Sequence, residues 1–155
     1  MRSQEVIVPE PIPTQEAVLA SRSRRFAAML YELLLLIGVV GGGVLLPWIV
    51  VGVVRHVTPP GWLLWVHLFA VLALYFVWHW RRRGATLAMK TWKLRILSAD
   101  GHPPSWGQCW LRFLLAWFSV GTGVGILWSW FDPDGLFLHD RLAKTRIVQW
   151  DWKVG

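Results

Sequence analysis

Three charged side chains stand out in an otherwise apolar chain as groups that could do chemistry: Arg25, Glu32 and Asp140. Glu32 lies inside the first long apolar stretch, residues 26–54. Arg25 precedes it by seven residues, close to two helical turns, so the two share one helix face ~10 Å apart along the axis. A carboxylate in hydrocarbon is costly, so an intramembrane acid is by default a functional-site hypothesis. Such an acid can titrate or bind a cation. The alternative is a structural group, protonated or paired with a neighbouring helix. An arginine at the membrane interface snorkels either way. Reaching inward, Arg25 would form a charge-assisted bond with Glu32. Asp140 stands between His139 and Arg141. It is either part of this site or a surface pair with Arg141 at a helix N-terminus, where an acid suits the dipole.

Other chemistries find little support. His139 has no second ligand at a helical spacing, which argues against a metal site. His67 lies in the middle of a later apolar segment. It is either a neutral buried histidine donating to a backbone carbonyl or to Glu32, or a proton relay. His56 and His79 fall near segment ends and are expected at the interface. Cys109 is the single cysteine, so no internal disulfide forms. Hydrolase, metalloprotease and phosphate-loop signatures are missing. Gly121-Thr-Gly-Val-Gly125 follows no strand, so it is not a dinucleotide loop. No enzyme activity and no cofactor are expected.

The elements that must position these groups are membrane helices. Of 155 residues, 55% are hydrophobic, and the mean hydropathy is +0.43. Apolar runs this long belong to a helical membrane protein, not a soluble core. Net charge is +7, and the basic residues flank the apolar runs, which is a topology pattern and not a nucleic-acid footprint. The electrostatic partner is the anionic headgroup layer of the bilayer. Several of the thirteen Trp lie at segment ends, as an interfacial belt would. Residues 1–20, with three prolines and no apolar period, read as a disordered cytoplasmic tail.

Two full transmembrane helices are expected, over residues 26–54 and 62–80. As one straight helix the first would be ~43 Å long, more than the ~30 Å hydrocarbon layer. Gly41, Gly42, Gly43 and Pro47 would kink it or admit a second helix, and Gly38 and Gly42 form a small-residue pair. Basic clusters at residues 22–25 and 81–83 place both ends in the cytoplasm and the Arg55 turn outside. Residues 84–92 read as a short amphipathic helix lying in the interface. Residues 93–98 alternate like a strand and run into the Asp100-Gly101 turn. A third apolar segment, 110–131, is interrupted only by Arg112. With Arg112 left out of the count, a single crossing leaves ten Lys and Arg inside and five outside, whereas a re-entrant hairpin gives fourteen and one. The hairpin is preferred, since charges close to span ends dominate. It also lets residues 145–150 pair with 93–98 in a small cytoplasmic β-hairpin element.

In their order, these pieces resemble the RDD family of small multi-pass membrane proteins. Three blocks carry the resemblance: Arg24-Arg25 with Glu32; Gly84-Ala-Thr86 through Lys90 to Asp100-Gly101; and His139-Asp140-Arg141-Leu-Ala-Lys-Thr145. It covers residues 22–150, which it implies form one membrane domain in the bacterial cytoplasmic (inner) membrane with a cytoplasmic N-terminus. It implies that Arg25, Glu32 and Asp140 are the charged functional set, supported by His139, Arg141, Thr145, Gly84, Thr86 and Lys90. Two positions depart from the family pattern: Glu32 replaces an aspartate, and Ala88 stands where glycine is usual. The resemblance suggests transport and names no substrate.

Two functions of different class remain. One is transport of a small ion or solute by a homo-oligomer, because three segments alone do not enclose a pathway. The other is a non-catalytic accessory or scaffold subunit of a membrane complex. The first requires Glu32 to face a cavity. The second has it sealed against Arg25 or another helix.

Overall fold

A computed structural model of the chain describes residues 18–150. The expected tail at residues 1–17 lies outside the described residues, as do 151–155. The first helix begins at α1 (Arg22–Val40), where the Ser21 side chain caps the N-terminus by accepting from the Arg24 N–H. It continues through a π-helical turn, Gly41–Leu45, into α2 (Leu46–Arg55). The run Arg22–Arg55 is a single span candidate of 34 residues. The glycines and proline therefore widen the helix instead of breaking it. Pro47 has no N–H to donate, and the turn before it shifts register, with the Leu46 N–H reaching back five residues to the Gly41 carbonyl. Of the glycines here, Gly43 is the one closely approached. A Cβ there would lie 3.2 Å from Val71, while Gly38 and Gly42 face open space. Among the described residues nothing packs against the Gly38–Gly42 pair.

His56, in the left-handed conformation, ends this helix. After a short turn, α3 (Gly61–Arg83) returns, closed by Gly84 at φ 68°. α1–α2 and α3 are long and apolar enough to cross a membrane. They expose Leu34, Ile37, Ile49, Val53, Trp65 and Leu74 at more than half of their surface, which suits a lipid solvent and not water.

The expected interfacial helix is shorter and more buried than its pattern suggested. α4 (Leu87–Thr91) is capped by the Thr86 hydroxyl, and Ala85, Thr86, Ala88 and Met89 are all buried. It packs on α1. Small residues at 85 and 88 allow that approach, so one face of α4 is part of the core.

β1 (Leu94–Ser98) pairs antiparallel with β2 (Thr145–Gln149), from Leu94 opposite Gln149 to Ser98 opposite Thr145, as the alternation predicted. A third short segment completes this sheet. Leu19 bridges Val148, Gln149 donates to the Val18 carbonyl and Ala20 to that of Ile147. Residues 18–20 are therefore ordered, contrary to the tail reading. The apolar edge of β2 captures them through backbone bonds, a force that tail composition does not reveal.

Between the strands lies α5 (Trp106–Gly121), opened by a reciprocal Ser105–Gln108 capping box. It is followed by α6 (Val124–Leu127) and a 3₁₀ turn, Trp128–Trp130. The axis bends by 97° at the break. The segment breaks and turns as a hairpin would, but with unequal arms, sixteen residues in α5 and the short run Val124–Trp130 after the bend, in place of two arms of about ten. The final helix, α7 (Leu138–Leu142), carries His139 and Asp140.

Candidate functional site

Glu32 projects from α1 toward α3. One carboxylate oxygen accepts from the Tyr75 hydroxyl at 2.6 Å, and the other from the Thr86 hydroxyl in a short hydrogen bond. Thr86 thus has two roles: it caps α4 and anchors Glu32. His67 is not a partner of Glu32. Its Nδ1 accepts from the Trp48 indole N–H at 2.8 Å, within the membrane part of α2 and α3. His79 bonds the Tyr75 carbonyl at 2.6 Å one turn back, and His56 is exposed at its helix end.

The inward pairing of Arg25 with Glu32 does not occur either. Arg25 is buried, 3% exposed. Its guanidinium lies over the Phe137 ring, 5.4 Å from the centroid, while its Nε and Nη1 find no hydrogen-bond acceptor among the described residues. The aromatic face draws it toward α7, and the Tyr75 and Thr86 hydroxyls already occupy Glu32.

Asp140 is wholly buried and is not paired with Arg141. Its partner is Arg112, whose Nε–H donates at 2.6 Å across 28 residues of sequence. The Arg112 guanidinium also lies 4.4 Å from the Trp80 ring centroid. Thr145 adds long hydroxyl contacts to the Asp140 carbonyl and carboxylate, both at 3.4 Å. Arg141 points outward instead, to Asp134 at 2.6 Å and Asp132 at 3.6 Å. Neighbouring helical residues diverge by ~100°, so one faces the core when the other faces water. Burial alone would raise the Asp140 pKa, but the Arg112 guanidinium, together with smaller contributions from His139 and Arg25, outweighs it and holds the carboxyl below the usual range.

His139 is buried beside this pair, and burial pushes its pKa down to about 4. It is neutral near pH 7. Its Nδ1 lies 3.0 Å from the Ser119 hydroxyl, and its Nε2 lies 3.9 Å from Asp140. The order Ser–His–Asp invites comparison with a nucleophilic triad. Two facts argue against it. The His–Asp separation exceeds hydrogen-bond reach, and Ser119 is pressed against Gly125, where an added Cβ would fall 1.5 Å from the hydroxyl oxygen. The Ser119–His139 bond instead ties the bend after α5 to α7. Among the described residues, no His, Cys, Asp or Glu group of three or more gathers as a metal site.

Gly84 lies so close to Arg95 that a Cβ would meet its Nε at 2.9 Å. Lys90 is half-buried near the end of α4.

Arg25, Glu32, Arg112 and His139 converge on one cavity of about 340 Å³. It is a cleft between α1 and α5, backed by Leu72, Phe76 and Trp80 of α3, and its remaining lining is apolar. Asp140 lies behind Arg112 and outside this lining. Of the three residues expected to act together, the cleft brings two to one wall and reaches the third only through Arg112. Tyr75, Arg112 and Ser119 were not foreseen as site residues. Arg112 carried a usable signal, since a lone cation in an apolar segment needs a buried anion.

No curated protein and no solved structure matches the chain. Residues 19–144, most of the chain, match the RDD family, so this is an RDD-family membrane protein.

Proposed function

We propose that the protein binds a solute inside the membrane, in the cleft between α1 and α5, and moves it with Glu32 as the group that exchanges a proton. The observation that carries this reading is the position of Glu32. It stands on the wall of the cleft, with both oxygens held by hydroxyl donors and, among the described residues, no ion pair to neutralise it. Hydroxyls serve a carboxylate as donors and a carboxylic acid as acceptors, so the same cage supports both protonation states. The mainly apolar lining suits a solute with an apolar body better than a hydrated ion alone. A second copy of the chain would supply the wall that the open side of the cleft lacks. The reading assigns no catalytic step.

The basic clusters at residues 22–25 and 81–83 favour a cytoplasmic N-terminus in the cytoplasmic (inner) membrane. Pairing of β1 with β2 favours a C-terminal segment on that same side, because a sheet cannot span the lipid with open edges.

A second reading has its own observation. Tyr75 and Thr86 tie Glu32 to α3 and to the start of α4, so the acid also works as a structural clamp, which is what an accessory or scaffold subunit requires. Flux in proteoliposomes decides between them. Transport predicts proton- or cation-dependent flux in the wild type that Glu32→Gln abolishes while the fold is retained. No flux of protons, sodium or potassium under a gradient transfers the case to the scaffold reading.

A further inference from the structure

Arg25 is the group whose chemistry the fold leaves unfinished. It is 3% exposed, it lines the cleft, and two of its guanidinium nitrogens have no hydrogen-bond partner among the described residues. A buried cation with unmet donors is costly, and an anion or water must meet them. None of the described acids nearby does so: Asp140 is taken by Arg112, Glu32 by Tyr75 and Thr86, and Asp132 by Arg141 and the backbone N–H groups of Asp134 and Leu136. That end of the cleft therefore holds two arginines against one paired aspartate.

The cations of the cleft are at one end only; Glu32 lies about 10 Å farther along α1, on the same lining, with both carboxylate oxygens turned to the Tyr75 and Thr86 hydroxyls. Arg25 lies over Phe137 and Arg112 on Asp140, so both start from the 137–140 segment. From there α1 runs eleven residues to Leu36 and α5 nine residues to Gly121, each still lining the cleft. At 1.5 Å per residue this is a depth of roughly 15 Å. Along it the lining changes from guanidinium to Leu33, Leu36, Ala116 and Val120. Because Arg25 is in the first turn of α1, the cationic end lies at headgroup level and the apolar end in the hydrocarbon.

We propose that this cleft seats an anionic membrane phospholipid, with its phosphate on Arg25 and one acyl chain along α1 and α5. A planar guanidinium matches phosphate oxygens in a bidentate fork. The volume, about 340 Å³, lies at the lower end of the roughly 300–1,000 Å³ typical of ligand cavities and suits a single chain. The second chain runs outside, over the exposed faces of Leu34 and Ile37. Free inorganic phosphate fits less well, since nothing beyond the cationic end would hold it. The inference rests on the cleft being a ligand site, and it does not require transport.

Native mass spectrometry of the full-length protein, offered phosphatidylglycerol and phosphatidylcholine of identical chains, tests it. The wild type is expected to retain phosphatidylglycerol about tenfold better. Arg25→Gln should bring the two lipids near parity, and Ala116→Phe, which fills the apolar end, should remove both. Added inorganic phosphate should leave the phosphatidylglycerol adduct unchanged. If Arg25→Gln does not fold, the wild-type ratio and Ala116→Phe still decide. Equal retention of both lipids, lost in Ala116→Phe, overturns the anionic class but keeps the cleft as a ligand site. Displacement of the lipid by inorganic phosphate also overturns it. Lipid retention unaffected by Ala116→Phe, or a dimer that this variant splits with no lipid bound, overturns the proposal together with the ligand reading of the cleft.

Discussion

The Arg112 Nε–H meets Asp140 at 2.6 Å, with both side chains at most 5% exposed. This bond joins the third apolar segment to the His-Asp motif of the C-terminal part. It gives that motif a structural meaning: the acid is the counterion of a cation that the membrane region would otherwise leave unpaired.

Breaking that pair from one side should be severe. Arg112→Leu or Asp140→Asn leaves the other group buried without compensation, a loss of roughly 3–5 kcal/mol. The double replacement Arg112→Leu/Asp140→Leu should cost clearly less than the sum. Thermal unfolding in detergent measures both, and additive losses would show that the two groups act separately.

Much of the scaffold was legible in the sequence because its signals are local. The alternation at residues 93–98 and 145–150 and the Asp100-Gly101 turn gave the sheet in its observed pairing. The two long apolar runs gave the spanning helices. What stayed hidden depends on contacts between distant segments. Nothing near residue 32 shows that Tyr75 and Thr86 will meet it, so helical spacing pointed to Arg25 instead. The order of residues 18–20 comes from the free edge of β2, and the close approach of Ser119 to Gly125 shows only once the segment is bent.

Glu32 should couple to Tyr75 and not to Arg25. Tyr75→Phe removes one donor, at about 1 kcal/mol, whereas Thr86→Val removes the other donor together with the α4 cap and should cost roughly 0.5–2 kcal/mol more. Glu32→Gln combined with Tyr75→Phe should be non-additive. Glu32→Gln with Arg25→Ala should add within about 0.5 kcal/mol. Strong coupling to Arg25 in unfolding midpoints would restore the direct pairing.

Acid should loosen the His139–Ser119 tie. The His139 pKa falls from 6.5 to about 4 on burial, so between those values the unfolded chain binds more protons than the folded one. Stability contributed by this group is complete above pH 6.5 and declines as pH falls toward 4. His139→Asn, which keeps an acceptor near the Nδ1 position, should flatten the fall of melting temperature over that window. An unchanged slope would place the pH dependence elsewhere.

Gly125→Ala should destabilise the bend by about 1–3 kcal/mol through overpacking, since the new Cβ meets the Ser119 hydroxyl oxygen at 1.5 Å and its Cβ at 2.6 Å. Adding Ser119→Gly removes both contacts and leaves only the Ser119 Cα at 3.0 Å. Partial recovery of the melting temperature is the expected result. No recovery would mean that the Ser119–His139 bond, and not the crowding, dominates at the bend.

The central claim is that Glu32 stands on an open intramembrane cleft as an acid able to take up a proton. A carbodiimide that partitions into the bilayer reacts with a protonated carboxyl it can reach from the hydrocarbon, and peptide mass spectrometry locates the adduct. Labelling at Glu32 that is lost in Ala116→Phe, with the fold intact, is the predicted result. A Glu32 that stays unmodified in the folded protein, yet reacts once the protein is unfolded, would contradict the claim and leave it a sealed structural clamp.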